Sequence, residues 1–210
     1  MILMRVAKVV RSQHRSNFDY RGFEGTSRSG ATIRGMARIS YIEPETASPE
    51  VQQIYEHRLR GKPANVHKAM AHNPQALTAF LAFYAAAGKS LDRKLWELVY
   101  LRVSFINRCG YCTEHHIASS KRTGLGSEDW KAVKSGNLER FIKPEQVALR
   151  YAEKLTRTPA DVTETDVAAL KPHFSDQQIV DLHLLVGLAN LTNRFTDPLG
   201  LELEFPAEPI

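Results

Sequence analysis

Apolar side chains recur every three or four residues along most of the chain, the spacing of helices that bury one face. Ser48 can cap a helix, and Pro49 after it suits a first helical position. Ser175 with Gln178 three residues on forms a capping box at the start of a long helix through residue 189. Further helices are predicted over 66–72, 74–88, 91–107, 109–123, 144–157 and 163–170. Ser90 is expected to open the helix over 91–107, Gly124 to stop the helix over 109–123, and Ser127 to open a short helix. Strand signals are nearly absent apart from 38–42, so the pattern predicts an all-α, single-domain helical bundle.

The positive charge is concentrated at the N-terminus. Residues 1–35 hold seven of the 28 Lys and Arg side chains and two of the 23 Asp and Glu side chains, which leaves 21 of each sign in the body. This basic segment is rich in Ser, Gly and Arg and has no sustained periodicity. We interpret it as a disordered extension, with a transit peptide or a nucleic-acid contact as the alternatives. The folded domain is expected to span 36–210.

Composition and charge limit the partners and the cellular locations expected for the protein. A neutral body argues against a nucleic-acid surface, which concentrates basic charge on the fold. No apolar run approaches the ~20 residues that span a bilayer, so no membrane partner is expected. The N-terminus lacks the apolar segment and cleavage site of a secretory signal. A cytoplasmic location is therefore the expectation.

The two cysteines are the first candidates for chemistry. Cys109 and Cys112 are the only cysteines, and they are three residues apart. A structural disulfide framework uses more cysteines at longer spacing, so this pair indicates redox or metal chemistry. We expect Cys109 in the first turn of a helix with Asn107 as a plausible cap. The unpaired N–H groups and positive dipole of a helix start favour a thiolate there.

The helical wheel selects a histidine partner for the pair. At about 100° per residue, Cys112 lies roughly 60° from Cys109, and His116 falls between them in angle one turn further on. His115 is well off this stripe and is expected to face a neighbouring helix or solvent. A histidine beside a thiol can take its proton because the imidazole pKa is near neutral.

Glu97 is anomalous because its helix is apolar on most sides. A carboxylate in such a place is costly unless it has a partner. One interpretation is an ion pair with Arg93, one turn earlier. The other is that Glu97 faces the thiols and takes part in proton transfer, with a pKa raised by partial burial. The residues alone leave both open.

Together these residues carry a family resemblance. Glu97, the Cys109 to Cys112 pair twelve residues on, and His116 four residues further resemble the alkylhydroperoxidase AhpD-like branch of the carboxymuconolactone decarboxylase superfamily. The resemblance in residue type and spacing covers 97–124. It implies an all-helical fold, assembly into trimers or hexamers, and reduction of hydroperoxides with no cofactor.

The same resemblance implies a role for each site residue. Cys112 would be the thiol that attacks the peroxide, and Cys109 the thiol that resolves the product. Glu97 and His116 would form the proton relay. The implied partners are a hydroperoxide substrate and an external dithiol reductant.

Two alternative functions stay open. A lyase or small-acid-binding member of the superfamily would use His116 and Glu97 as acid and base without the thiols. A zinc module would use Cys109, Cys112, His115 and His116, although structural zinc usually takes its second ligand pair from a distant segment.

Overall fold

In a computed structural model, which describes residues 37–208 and 210, every regular element is helical. The α-helices are α1 (Pro49–Leu59), α2 (Asn65–Met70), α3 (Pro74–Ala86), α4 (Arg93–Asn107), α5 (Gly110–Ser120), α6 (Ser127–Ser135), α7 (Lys143–Arg157), α8 (Glu164–Ala168) and α9 (Asp176–Thr196). Short 3₁₀ turns occupy Pro44–Thr46, Lys121–Thr123 and Pro159–Asp161. The predicted all-α class is therefore confirmed, and 38–42 forms no strand. The proposed N-terminal extension, 1–35, lies outside the described residues.

Side-chain caps set most of the helix starts. The Ser48 hydroxyl accepts the Val51 amide at 3.4 Å, and Ser175 and Gln178 form the expected capping box. The predicted start of α4 at Ser90 was wrong. Asp92 caps this helix instead, because its carboxylate accepts the amides at positions 94 and 95, at 2.9 and 3.3 Å.

Helix α4 is the centre of the molecule. It packs against α5, α6, α7 and α9, and all ten residues from Leu95 to Ser104 are buried. A helix buried on every side carries few polar groups, so those it does carry require specific partners. Glu97 and Arg102 are the two charged residues of this buried stretch. The terminal nitrogens of the Arg102 guanidinium donate to Glu153 at 2.5 Å and to the Val133 carbonyl at 2.6 Å, whereas its Nε has no partner within the described residues.

The segment after α9 lies across α2 and α5. The backbone amide of Arg38 donates to Leu199 at 2.8 Å, and the side-chain amide of Asn65 donates to the Glu202 carbonyl at 2.9 Å. The Glu202 amide in turn donates to the Tyr41 hydroxyl at 3.2 Å. These bonds bring Glu204 beside the first turn of α2. Within 37–208 and 210, no helix has the length and apolar content needed to cross a bilayer.

Gly88 has a left-handed backbone conformation close to Trp96, and we expect Gly88→Ala to destabilise the fold. Its φ is +74°, and an added Cβ would lie 2.6 Å from Trp96 Cδ1. The indole cannot move freely because its Nε1 donates to the Ala87 carbonyl at 3.0 Å. The backbone strain and the clash together should cost about 2–4 kcal/mol, measured by urea unfolding.

Gly187 provides the control for this prediction. It lies inside α9, and a Cβ there would meet no atom within 4 Å. Gly187→Ala should therefore leave the stability unchanged or raise it by up to about 1 kcal/mol. Equal stability of Gly88→Ala and the parent chain would show that this turn tolerates a side chain.

Candidate active site

The turn between α4 and α5 makes Cys109 itself the N-cap of α5. Its Sγ accepts the Cys112 amide at 3.3 Å, so a sulfur satisfies one of the open N–H groups of the helix start. The expectation that Asn107 caps this helix was wrong. The Asn107 side-chain amide instead donates to the oxygens of Asn190 and Asn193, at 2.9 Å each, and so fixes the end of α4 against α9.

The two sulfurs lie side by side but differ in access. Their Sγ atoms are 2.7 Å apart, and the hydroxyl oxygen of Thr196 is 3.1 Å from each. Cys109 is fully buried, whereas Cys112 retains 4% exposure and lines a cavity. A molecule in that cavity therefore meets the sulfur of Cys112 and not that of Cys109.

Of the two thiols, Cys109 at the N-cap is the one that loses its proton first. The hydrogen bond from the Cys112 thiol, with further bonds from Thr196 and the Cys112 amide, lowers the pKa of Cys109 against the effect of burial. The same contact with Cys109, together with burial, raises the pKa of Cys112. The more acidic thiol is thus the one at the helix start, but the hydrogen bond from the Cys112 thiol contributes more to its lowered pKa than the helix amide does. The two sulfurs share the remaining proton as one titrating pair.

His116 and Glu97 form a buried dyad, of which His116 lines the cavity. Glu97 is fully buried, and its Oε2 is 2.8 Å from His116 Nδ1. Its other oxygen accepts from Arg93 at 2.6 Å and from the Ser119 hydroxyl. Both interpretations of Glu97 therefore describe the same side chain, which pairs with Arg93 and also contacts the predicted relay histidine.

The protonation states follow from these contacts. Burial lowers the pKa of His116 more than Glu97 raises it. Burial works to raise the pKa of Glu97, but hydrogen bonds from His116 and Ser119 and the charge of Arg93 bring it below its usual value. The expected raised pKa was therefore wrong, because the donors outweigh burial. An ionised Glu97 accepts from Nδ1–H of His116, which leaves Nε2 with a lone pair.

Tyr100 holds the imidazole from the other side. Its ring stacks on that of His116 with centroids 3.7 Å apart, and its hydroxyl is hydrogen bonded to the Thr192 hydroxyl. Trp96 packs against the same imidazole with centroids 5.4 Å apart. Within the described part of the chain, neither sulfur is hydrogen bonded to His116. Proton transfer between them therefore needs a bridging hydroxyl or water in the cavity.

The cavity that joins these groups has a volume of about 420 Å³. This lies within the range of small-molecule sites. Cys112, His116, Tyr100 and Thr196 are among its lining residues. Its remaining walls are mainly apolar or aromatic, with four further polar side chains, and comprise Arg58, Leu59, Ala64, Val66, His67, Phe80, Leu81, Tyr84, Ala85, Tyr111, His115 and Thr192.

Glu204 is a site residue that the sequence analysis missed. Its carboxylate accepts from the Tyr111 hydroxyl at 2.9 Å and lies 2.9 Å from His115 Nε2. Burial opposes ionisation of Glu204, but bonds from His115, the Asn65 amide and Tyr111 lower its pKa to about 2. His115, which lines the cavity, is thus hydrogen bonded to Glu204, a residue 89 positions away in the sequence. No local sequence signal marks such a contact.

The zinc interpretation gains no support from these positions. His115 is hydrogen bonded to Glu204, and His116 to Glu97, so the two histidines serve different carboxylates. Over residues 37–208 and 210, no group of three or more His, Cys, Asp or Glu side chains is arranged to hold a metal ion.

Fold and site together define an all-helical protein in which a buried Cys-x-x-Cys pair and a Glu–His dyad meet at a mainly apolar cavity. Residues 74–153, which include Glu97, both cysteines and His116, match the carboxymuconolactone decarboxylase family. With the structural neighbours described next, this match shows that the chain is similar to members of the AhpD/carboxymuconolactone decarboxylase superfamily.

Three solved structures share the fold. An uncharacterised peroxidase-related protein from Silicibacter sp. TM1040 is 28% identical with a TM-score of 0.68, over 81% of this chain and 96% of that one. An uncharacterised peroxidase-related protein from Ralstonia eutropha JMP134, described as an alkylhydroperoxidase AhpD core, is 24% identical with a TM-score of 0.71, over 81% and 93%. The debrominase Bmp8 is 17% identical with a TM-score of 0.63, over 74% and 87%. The last two likenesses show the fold alone.

Proposed function

We propose that the protein is a thiol-dependent peroxidase that reduces alkyl hydroperoxides with the Cys109 and Cys112 pair. The observation that carries the proposal is the order of the groups along the cavity. Cys112 faces the cavity, Cys109 lies 2.7 Å behind it, and His116 lines the same space with its Nε2 free to accept a proton. A nucleophile, a resolving group and a base are therefore within reach of one bound molecule.

The first step is attack by sulfur on oxygen. The Cys112 thiolate attacks the distal oxygen of the hydroperoxide, an S–O bond forms, and the O–O bond breaks. The leaving alkoxide takes a proton from the protonated dyad and departs as an alcohol, while Cys112 becomes a sulfenic acid. Neutral His116 can first take up the thiol proton through a cavity hydroxyl and then return it, because Glu97 stabilises the imidazolium.

The second step closes a disulfide. The Cys109 thiolate attacks the sulfur of the Cys112 sulfenic acid, an S–S bond forms, and hydroxide leaves and is protonated to water. Because the two sulfurs are already adjacent, this step can outrun further oxidation of Cys112. An external dithiol then reduces the disulfide by exchange and restores both thiols. The overall reaction converts one hydroperoxide and one dithiol into an alcohol, water and a disulfide.

The cavity walls favour an organic substrate. Leu59, Val66, Phe80 and Leu81 are apolar groups that would bury an alkyl or aryl chain. Hydrogen peroxide would leave this surface uncovered and should therefore react less well. The trimeric or hexameric assembly implied by the resemblance, and the cytoplasmic location, stay predictions.

Steady-state turnover tests the proposed function. With dithiothreitol as the reductant, the protein should consume tert-butyl hydroperoxide catalytically and release one tert-butanol for each dithiol oxidised. Cumene hydroperoxide should give a lower KM than hydrogen peroxide because of its apolar body. If neither organic peroxide is consumed faster than in a protein-free mixture, the proposed function is wrong.

The Glu97–His116 dyad supports a second candidate, a lyase that acts on a small acid. His116 lines the cavity, and its Nε2, which is not the nitrogen that contacts Glu97, could take a proton from carbon without either sulfur. The two candidates differ in their need for cysteine. A reaction that survives replacement of both cysteines by serine would favour the lyase.

A further inference from the structure

Thr196, the last residue of α9, places one hydroxyl group against both sulfurs. Its Oγ1 is 3.1 Å from Cys109 Sγ and 3.1 Å from Cys112 Sγ. The same oxygen is 2.9 Å from the backbone carbonyl of Thr192, one turn earlier. The side chain is 1% exposed, so water does not compete for these contacts.

A hydroxyl has one hydrogen to donate and can accept through its lone pairs. While both thiols are protonated, the Thr196 hydrogen can stay on the Thr192 carbonyl and its oxygen can accept from a thiol. Once the pair loses a proton, the sulfur anion is the stronger acceptor, because hydrogen bonds to ions are about twice as strong as neutral ones. The hydroxyl can then turn to sulfur at little cost, since the Thr192 carbonyl keeps the helical amide of residue 196.

We propose that Thr196 is a positioning residue that directs its hydroxyl hydrogen to whichever sulfur carries the negative charge. Charge that forms on the buried Cys109 can then pass to Cys112 at the cavity without losing this hydrogen bond. The proton moves in the opposite direction, from the Cys112 thiol to the Cys109 thiolate across 2.7 Å. The proposal rests on the proposed function for its purpose, but the hydrogen bond should operate in any chemistry of this pair.

The more acidic thiol and the sulfur that a substrate can reach belong to different residues, and the Thr196 hydroxyl contacts both. The more acidic thiol is Cys109, which is fully buried, whereas the sulfur that a substrate can reach is Cys112. The hydrogen bond to Cys112 is the largest cause of the lowered Cys109 pKa, and the Thr196 bond adds to it. Thr196 also lowers the pKa of Cys112, against the larger raising effects of Cys109 and burial. A donor equidistant from both sulfurs is what charge transfer between them requires.

The other titratable groups around the pair do not replace this donor. Tyr100 of α4, Tyr84 of α3 and Tyr111 of α5 have pKa values raised mainly by burial, so they stay neutral while the thiols titrate. His116 makes no hydrogen bond to sulfur in the described structure. Asp197, which follows α9, is the nearby negative charge and opposes ionisation of Cys109.

The test replaces Thr196 with a side chain of similar shape that lacks the hydroxyl. Thr196→Val is close in size, and Thr196→Ser restores the hydroxyl. Thr156→Val is a matched control, because the Thr156 hydroxyl makes the same bond one turn back, to the Ala152 carbonyl at 2.7 Å, but contacts neither sulfur. The readouts are the pH titration of thiolate ultraviolet absorbance and the equilibrium with glutathione. Neither needs a hydroperoxide, so failure of this proposal is distinct from failure of the peroxidase function.

Thr196→Val should raise the first thiol pKa by about one unit, as loss of a charge-assisted hydrogen bond implies. Above that pKa, its disulfide should be favoured about tenfold more, equivalent to a potential about 30 mV lower. Thr196→Ser and Thr156→Val should match the parent chain. If Thr196→Val does not fold, Thr196→Ala supplies the same comparison. An unchanged thiol pKa in a folded variant without the hydroxyl would overturn the proposal, as would a shift that Thr156→Val reproduces.

Discussion

Replacement of Cys112 by serine is expected to reduce hydroperoxide turnover at least about a thousandfold, because among the described residues it removes the one sulfur that lines the cavity. A serine hydroxyl does not ionise near neutral pH and cannot take up the peroxide oxygen. The fold should be unaffected, since oxygen is smaller than sulfur and Thr196 can still donate to it. Steady-state peroxide consumption with dithiothreitol measures the effect, with circular dichroism as the check on folding.

Cys109→Ser is the matched comparison, and it should fail at a different step. Cys112 can still attack one peroxide molecule, but no second thiol is present to resolve the sulfenic acid. An external thiol must then reduce the sulfenic acid directly, so turnover with dithiothreitol should fall well below that of the parent chain, and one equivalent of peroxide without thiol should leave a sulfenic acid and no disulfide. Sustained turnover in Cys112→Ser would remove the role assigned to that residue, and turnover of Cys109→Ser at the parent rate would remove the resolving step.

The second large effect is expected at the dyad. His116→Gln should lower kcat/KM by about 10²–10⁴, the usual contribution of a positioned acid–base group. Glu97→Gln should lower it less, because the amide oxygen can still accept from Nδ1–H but carries no charge to stabilise an imidazolium. That change also leaves Arg93 without its carboxylate partner. The measurement is kcat/KM for tert-butyl hydroperoxide as a function of pH.

The lowered pKa of His116 determines in which direction kcat/KM should change with pH. Burial lowers the pKa of His116 below its ordinary 6.5, so the imidazole is neutral at pH 7 and gains a proton only in more acidic solution. Activity should therefore fall as the pH drops through the His116 pKa, and this acidic limb should disappear in His116→Gln. His183→Gln is the control, because that histidine bonds Tyr151 at 2.7 Å outside the cavity. An acidic limb that persists unchanged in His116→Gln would exclude the dyad as its source.

The helices could be predicted from sequence because their signals are local. Caps at Ser48 and Ser175 and the stop at Gly124, with φ of +82°, depend on residues within one turn of the boundary. The start of α4 was misplaced because Ser90 and Asp92 are both good caps. Their choice depends on the backbone after Gly88, where Leu91 bonds back to the glycine carbonyl.

The site residues also divide into those that local spacing brings together and those that come from distant elements. Cys109, Cys112 and His116 lie on one face of a single helix, so spacing alone brings them together. The groups that control their chemistry come from distant elements. Thr196 is 84 residues from Cys112, and its place beside the sulfurs depends on how α9 packs against α4 and α5.

The pKa of Glu97 shows why a burial pattern alone misleads. The apolar helix correctly indicated a buried carboxylate, and burial by itself raises a carboxyl pKa. The sequence did not indicate that Ser119 and His116, both on α5, would donate to the same side chain as Arg93. Three donors on one carboxylate reverse the direction of the shift, and with it the role of Glu97, which orients and stabilises His116.

The most direct test of the central claim is the fate of the two sulfurs after one equivalent of tert-butyl hydroperoxide. Free thiols should be titrated before and after the reaction, and peptide mass spectrometry should locate the product. We expect both thiols to disappear, one tert-butanol to form per chain, and Cys109 and Cys112 to become linked. Two thiols that persist with the peroxide intact would contradict this expectation.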